Sequence, residues 1–377
     1  MINQNEFIHS QWREGRTDIS PEAAGFNPAK LNQLDAFLGD LVQRQKLQCA
    51  SYLLSRNGKI FAAKSAGNLT YHADSGEFIP DSIRWIASIT KSITAIAIMK
   101  LIEDGKIYLG QPVMTILEEL DTPVHGGIQI YHLLTHTSGI RADSGYFCEP
   151  YPADEEDIIQ SGQNWIKKTL EGPLQAEIGT AWNYSGSNYR LLGEIIARVS
   201  GMSYEDYVMK SILEPLNMKD TFFRIPQNRC HEVCFIREWE ESAFLSTDDS
   251  YPISFSAGGS LYDLWKLGQM ILNQGCFNGV QVLGRKTVEA MNRNCLTGIP
   301  AYWWGSKIRE MKIGLGWYLS TQDLATPGTI SNEGYGRSAF YIDLVEQFIA
   351  VYFVPTTTDW FAESMVNPRA FMWSGLR

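Results

Sequence analysis

Ser88 and Lys91 stand three residues apart in the stretch RWIASITKSITAIAIMKLIEDG, which runs from Arg84 to Gly105. Residues at this spacing share one face of a helix, with Cβ atoms roughly 5–6 Å apart. The apolar run that follows predicts a helix over 88–104, so both side chains point into the same space near its start. The first-turn N–H groups of a helix are unpaired and its N-terminus carries partial positive charge, which stabilises an alkoxide or oxyanion beside Ser88. The same end, together with burial, disfavours the charged form of Lys91 and draws it away from the ordinary lysine value of ~10.4. A neutral amine can take the serine's proton, so the chemistry these two residues point to is nucleophilic attack with an adjacent base. The bland alternative is an N-cap serine and a solvated lysine. By composition Ser-x-x-Lys arises about once by chance in a chain of this length, so the tetrad alone does not decide between them.

Other chemistry-bearing groups carry less. His132 and His136 invite a Ser-His-Asp reading, but no serine of the chain lies in a Gly-x-Ser-x-Gly elbow, and that reading is set aside. The cysteines, at 49, 148, 230, 234, 276 and 295, are irregularly spaced. Cys230-His231-x-x-Cys234 is the one close group. It lacks a second ligand pair, so reduced thiols are expected rather than a metal site. The loop-rich segment 141–182 and the aromatics Trp303, Trp304, Trp317 and Trp360 are weighed as an apolar acyl pocket. Tryptophans that simply cover sheet surface are the commoner case, and none is taken as a site residue.

The elements that must position these groups fit a large packed protein. The chain has 377 residues, 44% hydrophobic and 20% charged, which suits one two-lobed fold or two domains. A formal charge of −10 without a basic stripe speaks against nucleic acid as a partner. The longest apolar run, 348–354, is too short to span a bilayer. The polar first residues show no apolar leader region, so a cytoplasmic protein is expected, with a small-molecule substrate and no membrane partner. The oligomeric state is not legible.

Residues 28–46 read as a helix, with Asn27 as cap and Leu31, Leu34, Leu38 and Leu41 at helical spacing. Residues 49–67 read as a β-hairpin turning at Asn57-Gly58. Helices are expected at 128–140 (short, closed by Gly139), at 187–201 (ended by Gly201), at 203–218 (broken at Pro215) and at 260–275. The last of these is capped by Ser260. Strands return at 313–320, 336–343 and 347–355, and 360–377 is a final helix. Strands at both ends with helices between predict an α+β fold. One antiparallel sheet is built from residues 1–84 and 310–377 and packs on terminal helices. Residues 85–309 form a mainly helical second lobe, with the ligand site in the cleft.

Several ordered segments resemble one family. WIASITKSITAIAIMKLIEDGKIYLGQPV (85–113), IQIYHLLTHTSGI (128–140), WNYSGSNYRLLGEIIARVSG (182–201), AGGSLYDLWKLGQMILNQG (257–275) and IGLGWYL (313–319) follow in order and spacing. They resemble the serine β-lactamase and penicillin-binding protein superfamily. The match is closest to the branch of class C β-lactamases, DD-peptidases, D-aminopeptidases and related esterases, over about residues 20–355. The resemblance implies a class C β-lactamase-like fold and no metal or organic cofactor. It makes Ser88 the acylated nucleophile, Lys91 its base partner, and Tyr184 the tyrosine of the second motif, which shares the proton traffic. It implies an oxyanion hole formed by the backbone N–H groups of Ser88 and, with Gly334 letting an edge strand approach, of Tyr335.

Two departures from that pattern matter. The second motif reads Tyr184-Ser185-Gly186 without the usual asparagine, and Asn188 lies two residues further on. The third motif reads Asn332-Glu333-Gly334, without the cation that pairs with a substrate carboxylate. Glu333 would add like charge if it pointed inward, and Arg337 is the nearest cation in sequence. The expected function is therefore a serine hydrolase acting on carboxylic esters or neutral amides. The alternatives are a D-aminopeptidase, DD-peptidase or weak β-lactamase and, from another class, a module that acylates or binds without turnover.

Overall fold

The computed structural model describes residues 11–141, 165–245, 257–303, 306–308, 311–320, 324–356 and 362–377. Its strands in chain order are β1 (Arg13–Glu14), β2 (Cys49–Arg56), β3 (Lys59–Gly67), β4 (Ile83–Ala87), β5 (Val233–Cys234), β6 (Ala257–Gly259), β7 (Cys276–Phe277), β8 (Val280–Gln281), β9 (Ala301–Trp303), β10 (Ser306–Ile308), β11 (Tyr318–Leu319), β12 (Ile330–Gly334), β13 (Ser338–Asp343) and β14 (Phe348–Phe353). The α-helices are α1 (Pro28–Gln43), α2 (Thr90–Glu103), α3 (Ile130–Leu134), α4 (Trp165–Thr169), α5 (Gly186–Ser200), α6 (Tyr204–Val208), α7 (Glu238–Leu245), α8 (Leu261–Leu272), α9 (Arg285–Met291) and α10 (Ala362–Ser374). None of the helices is long and apolar enough to cross a membrane, among the described residues.

Strands from both ends of the chain build one seven-stranded antiparallel sheet in the order β1-β3-β2-β14-β13-β12-β11. Its two faces follow from the period of two along each strand. In β13 and β14, Ala339, Tyr341, Phe348, Ala350 and Tyr352 pack with α1 and α10 through Leu34, Leu38 and Trp373. The intervening Phe340, Ile342, Ile349, Val351 and Phe353 pack against the layer that contains α2 and α8. Both faces of the central strands are thus buried, which explains why FIAVYF reads as an unbroken apolar run. A second, three-stranded sheet, β5-β4-β6, leads the chain into α2. Most of α2 is buried, from Thr90 through Met99 and again at Leu101.

The structure corrects several element boundaries. The segment 313–320 pairs as a strand only at Tyr318–Leu319. The helix expected at 128–140 ends at Leu134, and His136 beyond it has a φ of +55°. The helix expected at 203–218 stops at Val208 and continues as a wider π-helical turn, Met209–Leu213. The helix expected at 88–104 starts at Thr90, so Ser88 sits in the turn before it. Of the aromatics weighed as a pocket wall, Trp304 and Trp360 lie outside the described residues, as do 142–164 of the loop and the side chain of Trp303.

Candidate active site

The turn at Ser88 is made by its predecessor. Ala87 has a φ of +43°, a left-handed conformation that costs a residue with a Cβ and persists only where its surroundings enforce it. Here β4 is fixed between β5 and β6. The chain then tightens through Ile89 N–H to Ile86 C=O (3.0 Å) and Lys91 N–H to Ser88 C=O (3.0 Å) before α2 begins. The i, i+3 relation survives, and Lys91 Nζ lies 3.1 Å from Ser88 Oγ. Tyr184 reaches the same oxygen from the start of α5, with its hydroxyl 2.7 Å from Ser88 Oγ. Both partners are buried, Lys91 at 4% and Tyr184 at 8% exposure. Lys91 Nζ also lies over the Tyr184 ring, 4.8 Å from its centre, and 6.0 Å from that of Tyr189.

Tyr184 is held from behind by a residue that the sequence reading set aside. His136 accepts the Ser185 N–H at Nδ1 (3.2 Å), and its carbonyl accepts the Asn183 N–H (3.0 Å). It therefore grips both chain neighbours of Tyr184. Its ring packs 4.7 Å from the Tyr184 ring and 5.1 Å from that of Tyr189. With Nδ1 accepting, the hydrogen-bond network assigns the proton of the neutral ring to Nε2. Burial pushes His136 well below the usual histidine value, and the charge of Lys91 pushes the same way. His136 thus stands as a neutral scaffold, not as a base for Ser88. The signal that could have found it is its place in HLLTHTSG, where a lone buried imidazole needs a hydrogen-bond partner. Asn188 is committed to the same scaffold: its Oδ1 accepts from Ser138 Oγ (2.7 Å) and its Nδ2 lies 3.2 Å from His136 Nδ1. It does not substitute for the asparagine missing at Gly186.

Register separates the third-motif residues. Asn332 pairs with Phe340 and Glu333 with Ala339, so the two side chains fall on opposite faces of the sheet. Asn332 is buried on the α2 side, where its Nδ2 donates to Ser92 Oγ at 3.1 Å. With Lys91, Tyr184, Trp317 and Tyr318 it lines a narrow recess. Glu333 faces the other way, where its Oε1 accepts from the Tyr341 hydroxyl and lies 4.0 Å from Arg369. The structure therefore does not bring Glu333 to the site, and the expectation that it contributes there is corrected by the strand's alternation.

Gly334 lies where β12 meets β4. A Cβ on it would lie 2.2 Å from the Ile86 carbonyl oxygen, so only glycine lets β12 approach β4. Ser338 Oγ donates to that same carbonyl (3.1 Å). The hairpin tip beyond is fastened by Arg84, a fully buried cation. Its Nε and Nη2 donate to Gly336 C=O (3.1 and 3.0 Å), and it forms a two-pronged pair with Glu240 of α7 (2.6 and 3.0 Å). Among the described residues, neither the Ser88 nor the Tyr335 backbone N–H is taken up by a backbone carbonyl. The Tyr335 side chain is 62% exposed and its ring meets Trp85 edge-on. Arg337 lies along that ring, 5.5 Å from its centre, outside the residues that line the recess. Burial lowers its guanidinium, aided by the nearby charges of Arg237 and Arg84.

The cysteines of the close group separate. Cys234 Sγ lies 3.6 Å from Cys49 Sγ in the interior, while Cys230 Sγ faces the Pro226 carbonyl.

The chain is 30% identical over 207 residues to Protein flp of Staphylococcus aureus (strain N315), a match that covers 52% of the chain and 39% of that protein. The chain thus matches well under half the length of this relative. It is 26% identical over 407 residues to the putative D-alanyl-D-alanine carboxypeptidase of Escherichia coli O157:H7, covering 94% and 89%. Its fold is that of a family VIII carboxylesterase (TM-score 0.74, 17% identity, 93% and 98% covered). It is likewise that of a class C β-lactamase (TM-score 0.72, 16% identity, 93% and 98% covered). The Beta-lactamase family model matches residues 34–365, and with that match across the sheet, the Ser88 turn and the third-motif hairpin, the chain belongs to the Beta-lactamase family.

Proposed function

We propose that this chain is a serine hydrolase that forms an acyl-enzyme on Ser88 and acts on carboxylic esters or neutral amides of small molecules. The observation that carries the reading is the convergence of Tyr184 Oη and Lys91 Nζ on one serine oxygen, at 2.7 and 3.1 Å. Both distances suit proton transfer in the transition state. Ser88 Oγ attacks the substrate carbonyl carbon as its proton passes to the Lys91–Tyr184 pair. The carbonyl π electrons move onto oxygen, which the N–H groups of Ser88 and Tyr335 receive. The intermediate collapses, the bond to the leaving group breaks, and the stored proton goes to that group. Water then repeats the sequence and releases the acid.

Substrate preference rests on the side chain of Asn332. It stands where the family's peptidases and lactamases carry a cation, it faces the recess, and it is neutral. A substrate with a free carboxylate finds no ionic anchor on that strand. The name of the Escherichia coli relative raises a peptidase reading, and this neutral position speaks against it.

The test is hydrolysis of p-nitrophenyl esters by the wild-type chain and by Ser88→Ala and Lys91→Ala. The first change is expected to remove activity by at least about a thousandfold and the second to come close to it. Intact mass after exposure to activated esters, β-lactams and a fluorophosphonate, followed by peptide mapping, should place the acyl group on Ser88. Full activity in Ser88→Ala would overturn the reading. A burst of product without steady turnover would favour a module that acylates and stalls.

A further inference from the structure

A second concave site lies at the far end of the sheet. Gly334 pairs with Ser338, which pairs with Phe353, whereas Asp343 pairs with Phe348 and Phe348 with Arg56. The turn Asn57-Gly58 and Gln347 are therefore at the end of the sheet opposite the β12–β13 hairpin. There a cavity of about 470 Å³ opens between this end and α8. That volume is in the range of small-molecule sites.

The lining is chemically uniform. Five carboxamides face it: Asn57, Gln269, Asn273, Asn278 and Gln347. The rings of Trp265 and Phe277 complete the wall, edge to face with centres 5.9 Å apart, and no charged side chain is among the lining residues. The Trp265 indole N–H is held by Ser55 Oγ at 2.9 Å, which fixes the ring. Gln269 is the key residue. It is 7% exposed, its Nε2 donates to Asn273 Oδ1 (2.9 Å), and its Oε1 has no protein partner. A buried carbonyl oxygen without a partner is costly, and such a group in a native fold calls for an explanation. Gln347, also on the wall, is fixed by its Nε2 donating to Leu344 C=O (2.7 Å).

We propose that this cavity binds a neutral saccharide. A carboxamide offers both donors and an acceptor, and a hydroxyl group is both donor and acceptor, so an array of amides matches a polyhydroxylated ligand. The Trp265 indole, with the Phe277 ring set edge to face against it, supplies apolar wall for the C–H groups of a sugar. An apolar ligand would strand the amides without partners, and a charged one would find no counter-ion. The site shares no lining residue with the recess at Lys91 and acts independently of Ser88.

The experiment is ligand-observed NMR and calorimetry on the full chain carrying Ser88→Ala, with maltotriose, cellotriose, N-acetylchitotriose and trigalacturonate as probes. At least one neutral trisaccharide is expected to bind saturably. Asn278→Ala, at an exposed turn, should weaken it about fivefold and Gln269→Met about tenfold, each being the loss of one or two hydrogen bonds. Ester hydrolysis by the Asn278→Ala chain on the Ser88 background should equal that of the wild type. Three outcomes would overturn the proposal: no saturable binding of any neutral probe, binding untouched by both substitutions, or tighter binding of trigalacturonate than of every neutral probe.

Discussion

The His136 imidazole lies 4.7 Å from the Tyr184 ring, tilted 33° to it, and accepts the Ser185 N–H, while the His136 backbone carbonyl accepts the Asn183 N–H. The phenol that touches Ser88 is thus aimed by a neutral histidine packed behind it. Loss of that scaffold should disturb orientation more than binding. His136→Gln is expected to lower kcat by about ten- to a hundredfold with KM changed less than about threefold, since displacement of a positioned group by a fraction of an ångström is costly. The decisive measurement is the double mutant. Tyr184→Phe should cost less in the His136→Gln background than in the wild type, because the two residues act as one unit. Additive effects would show that His136 serves folding alone.

The same histidine links stability to pH. Burial, then the charge of Lys91, depresses His136 in the folded state, and burial alone depresses His125 and His132. The unfolded chain takes up protons near the free histidine value of ~6.5, where these folded groups remain neutral. Their contribution is therefore fully present above that pH and is lost as pH falls below it. Each such group adds a slope of up to about 1.4 kcal/mol per pH unit in that window. Urea midpoints measured from pH 7.5 down to 5.5 should fall, and His136→Gln should flatten the fall. An unchanged slope in the variant would remove His136 from the account.

The buried pair of Arg84 and Glu240 carries the third prediction. Arg84 is fully buried and bonds Glu240, Cys234 C=O and Gly336 C=O at once. Removing one partner leaves an uncompensated interior charge, so Glu240→Leu should destabilise the fold by about 3–5 kcal/mol. The double change Arg84→Met with Glu240→Leu should recover much of that loss in a denaturant melt. It should not recover ester hydrolysis, because Gly336 would no longer be held and the β12–β13 hairpin tip would drift from β4.

What the sequence made legible was local chemistry. The Asn57-Gly58 turn has φ of +51° and +74°, the conformation those two residue types adopt at least cost, and the hairpin 49–67 follows. Gly201 ends α5 with a φ of +71°, and Ser260 caps α8 through the Asp263 N–H. The nearness of Ser88 and Lys91 came from helical spacing, whereas Tyr184 was found through resemblance, since nothing local ties residue 184 to residue 88. What stayed hidden was imposed by distant parts of the chain. Ala87 gives no signal of its left-handed backbone, so the helix was started two residues early. Residues 313–320 have strand composition, but Gly314 and Gly316 take the chain in tightly against Met291 and Ala95, Ile313 bridges back to Tyr318, and only Tyr318 and Leu319 join the large sheet. Asn332 and Glu333 are both expected at the site as one motif, yet strand alternation sets them on opposite faces. Which of them faces the site depended on the register with β13.

That register yields the last prediction. Asn332 faces the recess beside Lys91, and Glu333 faces Tyr341 and Arg369 across the sheet. A cation introduced at position 332 should therefore reach a bound substrate, whereas one at 333 should not. Asn332→Lys is expected to raise kcat/KM for an ester bearing a free carboxylate by about tenfold relative to its neutral analogue, the size of one charge-assisted hydrogen bond. Glu333→Lys should leave that ratio within about twofold of the wild type, because the new charge would point toward Arg369 on the far side of the strand. Paired kinetics on the two esters with the two variants measure the ratio directly. A larger shift from position 333 than from position 332 would mean that the faces of β12 are assigned the wrong way round.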